Sequence, residues 1–267
     1  GGFNLTQVDG NLSGVNFNLF DVDSDGDGFV NWYEYQAGSE INDANSTPGL
    51  DFGLVGYWPF DGNASDRSGT GNNGIQHGAL LGTDRHGRAN NAYSFDGVDD
   101  YIEVNNSESL NFTDQLTFSF WIKPTSWGVG NTRLSGVLSK KASDQTNGYV
   151  VYHDYTGIRQ NKINYRVKGD SSIYGYLHSA DAVVVSEWSH WIVTQSDSNV
   201  NWFLNGNLEN HYNIIKVGNI DSDVNLHFGN AQTWHSVNGD GQGNTYFHGS
   251  IDDVRIYDRA LSSSEVM

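Results

Sequence analysis

From Leu50 onward the chain is a succession of short runs in which apolar and polar residues alternate, cut every few residues by Gly, Asn or Asp. The run 116–123 is the clearest. Leu116, Phe118, Phe120 and Ile122 share one face of an extended strand, and Thr117, Ser119, Trp121 and Lys123 share the other. With only three prolines and no long stretch of helical period, the pattern predicts an all-β fold. Further strands are expected at 54–60, 101–104, 136–140, 148–153, 162–167, 188–194, 201–204, 226–228 and 247–257. So many short strands call for two antiparallel sheets facing each other across one apolar core, a β-sandwich or jelly roll. No repeat of propeller or solenoid length is present.

Residues 1–49 read differently. An Asn/Gly-rich lead runs into an acidic cluster from Asp21 to Asp27, a short helix-like stretch at 31–38 and a linker at 42–49 that lacks apolar periodicity. The expected organisation is an N-terminal segment, 1–49, followed by one large domain, 50–267.

The net charge of −18, from 14 Lys+Arg against 32 Asp+Glu, argues against nucleic acid or an anionic membrane surface as partner. Of the acids, 25 are Asp and 7 are Glu, which places the charge in turns and oxygen-rich loops more than on helix surfaces. Cysteine is absent, so no disulfide framework exists, and a domain of this size buries enough apolar surface without one. No apolar run of transmembrane length occurs, and membrane insertion is not expected.

The segment from Asp23 to Glu34 has the spacing D-x-D-x-D-G-x5-E. Calcium prefers six to eight oxygen ligands, and this spacing delivers them from one tight turn. Asp23, Asp25 and Asp27 offer carboxylates, Phe29 its carbonyl, Asn31 a direct or water-mediated contact, and Glu34 two oxygens from the first turn of a helix. Gly28 permits the bend. Asp21 either extends the site or belongs to an overlapping ligand set. The stretch, with Glu34-Tyr35-Gln36-Ala37-Gly38 after the loop, resembles the EF-hand-like calcium repeats of the thrombospondin type 3 and dockerin kind. The resemblance covers about twenty residues; with only one repeat present, an EF-hand pair is not expected, and the loop is expected to act as a structural clamp rather than a calcium sensor.

Residues from about 52 onward resemble the laminin-G-like, concanavalin A-type jelly-roll family. The segments that carry this are Gly53-Leu54-Val55-Gly56-Tyr57-Trp58-Pro59-Phe60-Asp61, Tyr93-Ser94-Phe95-Asp96-Gly97-Val98-Asp99-Asp100-Tyr101-Ile102 and the strand at 117–124. Trp188-Ser189-His190-Trp191, Phe203-Leu204-Asn205-Gly206 and the run from Gly249 to Tyr257 complete the set. The fold follows from the resemblance; the function does not, because members of such families serve as sugar-binding, adhesion and accessory domains. The resemblance also suggests a second calcium site among Asp61, Asp96 and Asp252. Strict alternation over 251–257 would put Asp252 on the apolar face with Val254 and Ile256, where it needs a metal or hydrogen bonds; it either binds an ion or caps backbone amides in a turn.

Catalytic signatures are missing. No strand carries an E-x-D or E-x-x-E pair of the glycosidase kind, and no G-x-S-x-G elbow, H-E-x-x-H helix or phosphate-cradling glycine loop occurs. His153, His190 and His227 are expected to be strand residues satisfied by local hydrogen bonds. Trp58, Trp121, Trp188, Trp191 and Trp202 lie in strand-like runs and are expected to pack.

Sugar rings stack on aromatic faces, so aromatics in Gly/Asn-rich loops are the ligand candidates. Trp127 and Trp234 with His235 are of this kind; Tyr155, Tyr174, Tyr176 and His178 either line the same end or pack within a hairpin. The resulting expectation is a calcium-stabilised, non-catalytic, lectin-like module of a larger secreted or cell-surface protein, whose partner is a glycan or cell-surface polysaccharide. A protein-binding or structural adhesion domain is the alternative.

Overall fold

The structure, a computed structural model, describes residues 22–26, 31–44, 46, 48–126, 134–142, 146–154, 161–171, 173–231 and 245–266. The chain divides into two compact units, 1–52 and 53–267.

The first unit holds a short helix, α1 (Asn31–Ala37). It begins where the Val22 carbonyl accepts the Asn31 N–H at 2.6 Å. It ends at Gly38, whose φ of 75° lets the Ser39 N–H turn back onto the Glu34 carbonyl at 2.9 Å.

The second unit runs through β1 (Leu54–Trp58), β2 (Gly74–His77), β3 (Leu80–Thr83), β4 (Ala89–Asp96) and β5 (Tyr101–Val104) to β6 (Leu116–Pro124), β7 (Leu134–Lys140) and β8 (Gly148–Asp154). Then come β9 (Lys162–Lys168), β10 (Ile173–His178), β11 (Ser189–Gln195), β12 (Asn199–Leu204), β13 (Asn207–Asn213), β14 (Leu226–Phe228), β15 (His248–Tyr257) and a last helical turn, α2 (Ser263–Val266). The strands form two antiparallel sheets. The eight-stranded sheet has the order β13-β12-β11-β6-β15-β4-β3, with β1 also paired to β15, and the seven-stranded sheet the order β10-β9-β8-β7-β14-β5-β2.

The two sheets meet along the expected faces. Leu116, Phe118, Phe120 and Ile122 are fully buried, as are Tyr149, Val151, Ile163, Tyr165 and Val167 opposite them. Phe118 lies 4.9 Å from the Tyr149 ring and 6.0 Å from that of Tyr165, joining the sheets. Trp58, Trp191 and Trp202 are buried in the same core. Their burial is tolerated where the indole N–H finds an acceptor: Trp58 donates to the Asn72 carbonyl at 2.8 Å and Trp202 to the Leu177 carbonyl at 3.0 Å. Trp121 instead takes the outer face of β6 and is only partly covered.

The alternation expected over 251–257 does not hold. Pairing of β15 with β6 shifts register between Asp252 and Arg255, and Asp253 sits in the left-handed region at φ 51°. This β-bulge puts two residues where a regular strand has one. Ile251, Val254 and Ile256 all enter the core, so Asp252 and Asp253 both turn outward. Asp252 therefore does not share the face of Val254 and Ile256.

Candidate functional site

Two outer faces and one turn carry the polar chemistry of the sandwich. On the seven-stranded sheet, Tyr101 and Glu103 alternate with the buried Ile102 and Val104, and His227 stands between the buried Leu226 and Phe228. These three side chains therefore face outward. His77 on β2 is directly opposite Tyr101 in the β2–β5 pair, and its ring stacks on Tyr101 at 4.4 Å and 10°. His227 stacks on Tyr101 at 4.8 Å and 27°. The result is a ladder of three rings across β2, β5 and β14. Tyr246 adds a fourth ring, 6.5 Å from Tyr101, and is held there by a bridge to Asn230.

Glu103 supplies the polar partner of this ladder, 3.2 Å from His227 Nε2. Burial lowers the His227 pKa below its ordinary value although Glu103 works in the other direction, so the imidazole is neutral at pH 7 and donates to the carboxylate. Planar rings, a neutral donor and a carboxylate on one partly exposed surface are the groups with which a protein grips a sugar: apolar C–H faces on rings, hydroxyls on polar atoms.

Beside the ladder, the turn between β4 and β5 gathers Asp96, Asp99 and Asp100, with one carboxylate oxygen of each within 4.8 Å of the others. Asp96 caps the turn by accepting the Val98 N–H at 2.7 Å, and Asp100 accepts the Asp96 N–H at 2.9 Å. Burial pushes Asp100 up; the Asp96 N–H opposes this and the neighbouring Asp96 and Asp99 charges add to it. The charge of Asp99 reaches Tyr246, so turn and ladder adjoin.

The outer face of the eight-stranded sheet carries a different cluster. Arg85 bridges Asp252 at 2.8 Å and Asp253 at 2.6 Å, and its guanidinium lies over the Trp121 ring at 4.8 Å. His190 stacks on Trp121 at 4.9 Å and 4° and hydrogen-bonds Ser119 at 2.8 Å. Arg255 pairs with Asp253 at 3.1 Å and covers the Tyr57 ring at 4.2 Å. Each charge in this layer is already matched, which suits a structural role.

A family profile described as the concanavalin A-like lectin/glucanases superfamily, of laminin-G type, matches residues 96–267. The chain belongs to this superfamily. Among solved structures, this laminin-G-type chain resembles domain 4 of AbnA, an extracellular arabinanase from Geobacillus stearothermophilus solved with arabinotriose. The two are 18% identical with a TM-score of 0.58, over 80% of this chain and 96% of that one. The binding domain of Paraclostridial mosquitocidal protein 1 matches at 19% identity and TM-score 0.62, over 82% of this chain and 52% of that one. A botulinum neurotoxin type C structure, whose cell entry is described as dependent on two ganglioside molecules, matches at 15% and 0.61, over 81% and 50%. The chain thus spans about half the length of the toxin chains it matches, and at these identities the likeness is one of fold. No curated protein sequence matches it significantly.

Within this laminin-G-type sandwich the metal candidates separate. Asp96 joins Asp99 and Asp100, Asp252 is engaged by Arg85, and Asp61 acts electrostatically on Tyr57 and Arg88; the three do not converge. In the N-terminal loop, Asp23 accepts the Gly26 N–H at 2.7 Å, and Gly26 takes a φ of 78°. Asn31 Oδ1 accepts the Ser24 N–H at 3.0 Å, so this oxygen is already engaged within the loop. Glu34 is fully buried on the first turn of α1, whereas a glutamate there ordinarily faces water. Asp25 is partly covered; Asp21, Asp27, Gly28 and Phe29 lie outside the described residues.

The loop candidates Trp127, Tyr155, Trp234 and His235 also lie outside the described residues, as do the side chains of Tyr174 and Tyr176. His178 is on β10, the edge strand opposite β2, where its Nδ1 meets the Ser179 carbonyl at 2.8 Å and its own carbonyl accepts the Tyr212 hydroxyl at 2.9 Å. The ring ladder was missed from sequence. Its signal is present in β5, where Tyr101 and Glu103 alternate with Ile102 and Val104, but β2 is too polar to announce itself as a strand.

Proposed function

We propose that this chain is a non-catalytic, calcium-stabilised carbohydrate-binding module of a larger secreted or cell-surface protein. The observation that carries the reading is the His77–Tyr101–His227 ladder with Glu103 on the outer face of the seven-stranded sheet. The arabinotriose of the arabinanase domain and the gangliosides of the toxin structure support a glycan as partner. Trp234 and His235 follow in sequence shortly after Asn230, the bridge partner of Tyr246, and are proposed as ligand contacts on that ground; Trp127, Tyr155, Tyr174, Tyr176 and His178 are proposed as ligand contacts from sequence, His178 standing on the far edge strand from the ladder. Calcium belongs to the loop of Asp21, Asp23, Asp25, Asp27, Phe29, Asn31 and Glu34. With a net charge of −18 the module favours neutral glycans, and takes an anionic polysaccharide only through calcium.

A glycan array read with the wild-type chain and with Tyr101→Ala tests this. Binding of the wild type and a loss of at least tenfold in the variant, at an unchanged melting temperature, is the expected result. Equal binding by both removes the ladder from the site, and no binding by either refutes the glycan reading. A protein-binding role has one observation of its own: Ile75, Leu80, Leu81 and Val98 expose 50%, 67%, 37% and 61% of their surface along β2, β3 and the β4–β5 turn. Leu80→Asp would weaken such a partner and leave glycan binding intact.

A further inference from the structure

Lys140 ends β7 and is 0% exposed. It stands two residues beyond the buried Leu138, so its side chain enters the core side of the sheet and runs toward one end of the sandwich. There Nζ donates to Asn111 Oδ1 at 2.7 Å and to the Ser222 carbonyl. The Ser222 N–H reaches the same Asn111 oxygen at 3.4 Å. Asp221 and Asp223, exposed at the rim, are the carboxylates whose charge acts on the amine.

A lysine becomes a nucleophile when it is dehydrated, and burial lowers the Lys140 pKa to about 8, against the pull of Asp221 and Asp223. The Asn111 side-chain amide is held against this amine by the 2.7 Å contact of Nζ with Oδ1, and the reaction requires Nζ to approach Cγ to about 3–3.5 Å. The Ser222 N–H points at the oxygen on which negative charge would develop. Nucleophile, electrophile, oxyanion donor and proton acceptors thus occupy one end of the sandwich, and the catalytic signatures sought in the sequence use none of them.

We propose that Lys140 and Asn111 form an intramolecular isopeptide bond. The ammonium gives a proton to a rim carboxylate, and the Nζ lone pair attacks Asn111 Cγ. The carbonyl π pair moves onto Oδ1 under the Ser222 N–H. Collapse restores the carbonyl and breaks the Cγ–Nδ2 bond; Nδ2 takes up one proton from Nζ and leaves as ammonia, which then takes the proton held by the rim carboxylate and departs as ammonium. The step is redox-neutral and needs no co-reactant. Its product ties the segment between β5 and β6 to β7, a central strand of the seven-stranded sheet.

Intact-mass measurement of the purified full-length chain tests the proposal. The wild type is expected to weigh one ammonia less than its sequence, and Lys140→Met and Asn111→Ala to have their full masses. To make the result independent of the folding of the variants, wild-type chain is also digested with trypsin in denaturant. A branched peptide joining Asn111 to Lys140, uncleaved after Lys140, is the expected product. A full wild-type mass with the two residues in separate unmodified peptides overturns the proposal. So does a deficit that persists in Lys140→Met or maps to an Asn-Gly pair such as Asn205-Gly206.

Discussion

The guanidinium of Arg85, in the turn between β3 and β4, lies 2.8 Å from the carboxylate of Asp252 on β15. The contact exists because a bulge turns two consecutive aspartates to the same outer face, and it fixes a surface turn to a strand at the middle of the sheet. Its energetics depend on pH in a way that can be measured.

Burial pushes Asp252 up to about 7 from an ordinary 3.8; Arg85 opposes the rise and Asp253 adds to it. Between these values the folded chain holds a proton that the unfolded chain has released, so this residue's contribution to stability declines as pH rises from about 4 to 7. In Asp252→Asn that slope should disappear. Denaturant midpoints of the two proteins at pH 5 and pH 8 give the comparison; parallel profiles would mean that Asp252 is ionised throughout.

His153 has the opposite sign. It is fully buried on β8, and burial lowers its pKa from 6.5 to about 3. The unfolded chain binds the extra proton in this interval, so stability is lost as pH falls below 6.5, by about a factor of ten in the folding equilibrium per pH unit. His153→Gln should flatten the acid limb of the stability profile, at some cost at neutral pH. An unchanged acid limb would place the acid sensitivity elsewhere.

The Trp58 ring folds back over Gly56, where an added Cβ would lie 2.3 Å from the ring's Cη2. Its other neighbours leave it no retreat: Phe228 is edge-on at 4.8 Å and the indole N–H is committed to Asn72. Gly56→Ala should therefore destabilise by about 1–3 kcal/mol through overpacking, and Trp58→Ala by about 3–5 kcal/mol through the cavity it leaves. Urea unfolding monitored by fluorescence measures both.

Calcium titration of the full chain by calorimetry should lose one site in Glu34→Gln and retain it, weakened, in Asn31→Ala. Extracellular calcium modules bind at about 10⁻⁴–10⁻³ M, so millimolar calcium is the working range. Identical isotherms for wild type and Glu34→Gln would remove the loop from the metal chemistry.

Alternation made the sandwich legible wherever a strand has one dry face and one wet one, as in β6. It failed in two physical situations. Edge strands such as β2 and β13 bury little, so Gly74–His77 and Asn207–Asn213 carry no apolar rhythm to detect. At the bulge in β15, rhythm was present and misleading, because one inserted residue moves a carboxylate to the other face while leaving the sequence pattern plausible. The spacing behind the calcium proposal could be read because its residues are local. The ring ladder could not, since His77, Tyr101 and His227 are distant in sequence and meet only through the order of β2, β5 and β14.

Leu54, on the first strand of the sandwich, pairs with Tyr257 on the last. Entry to and exit from the domain therefore lie side by side. A pull applied at both would open this seam from its end, one rung of the ladder at a time, instead of sliding whole strands past each other. By the same geometry the domain can be looped out from a host polypeptide like a bead on a single knot, leaving the segments before and after it almost where they would meet without it.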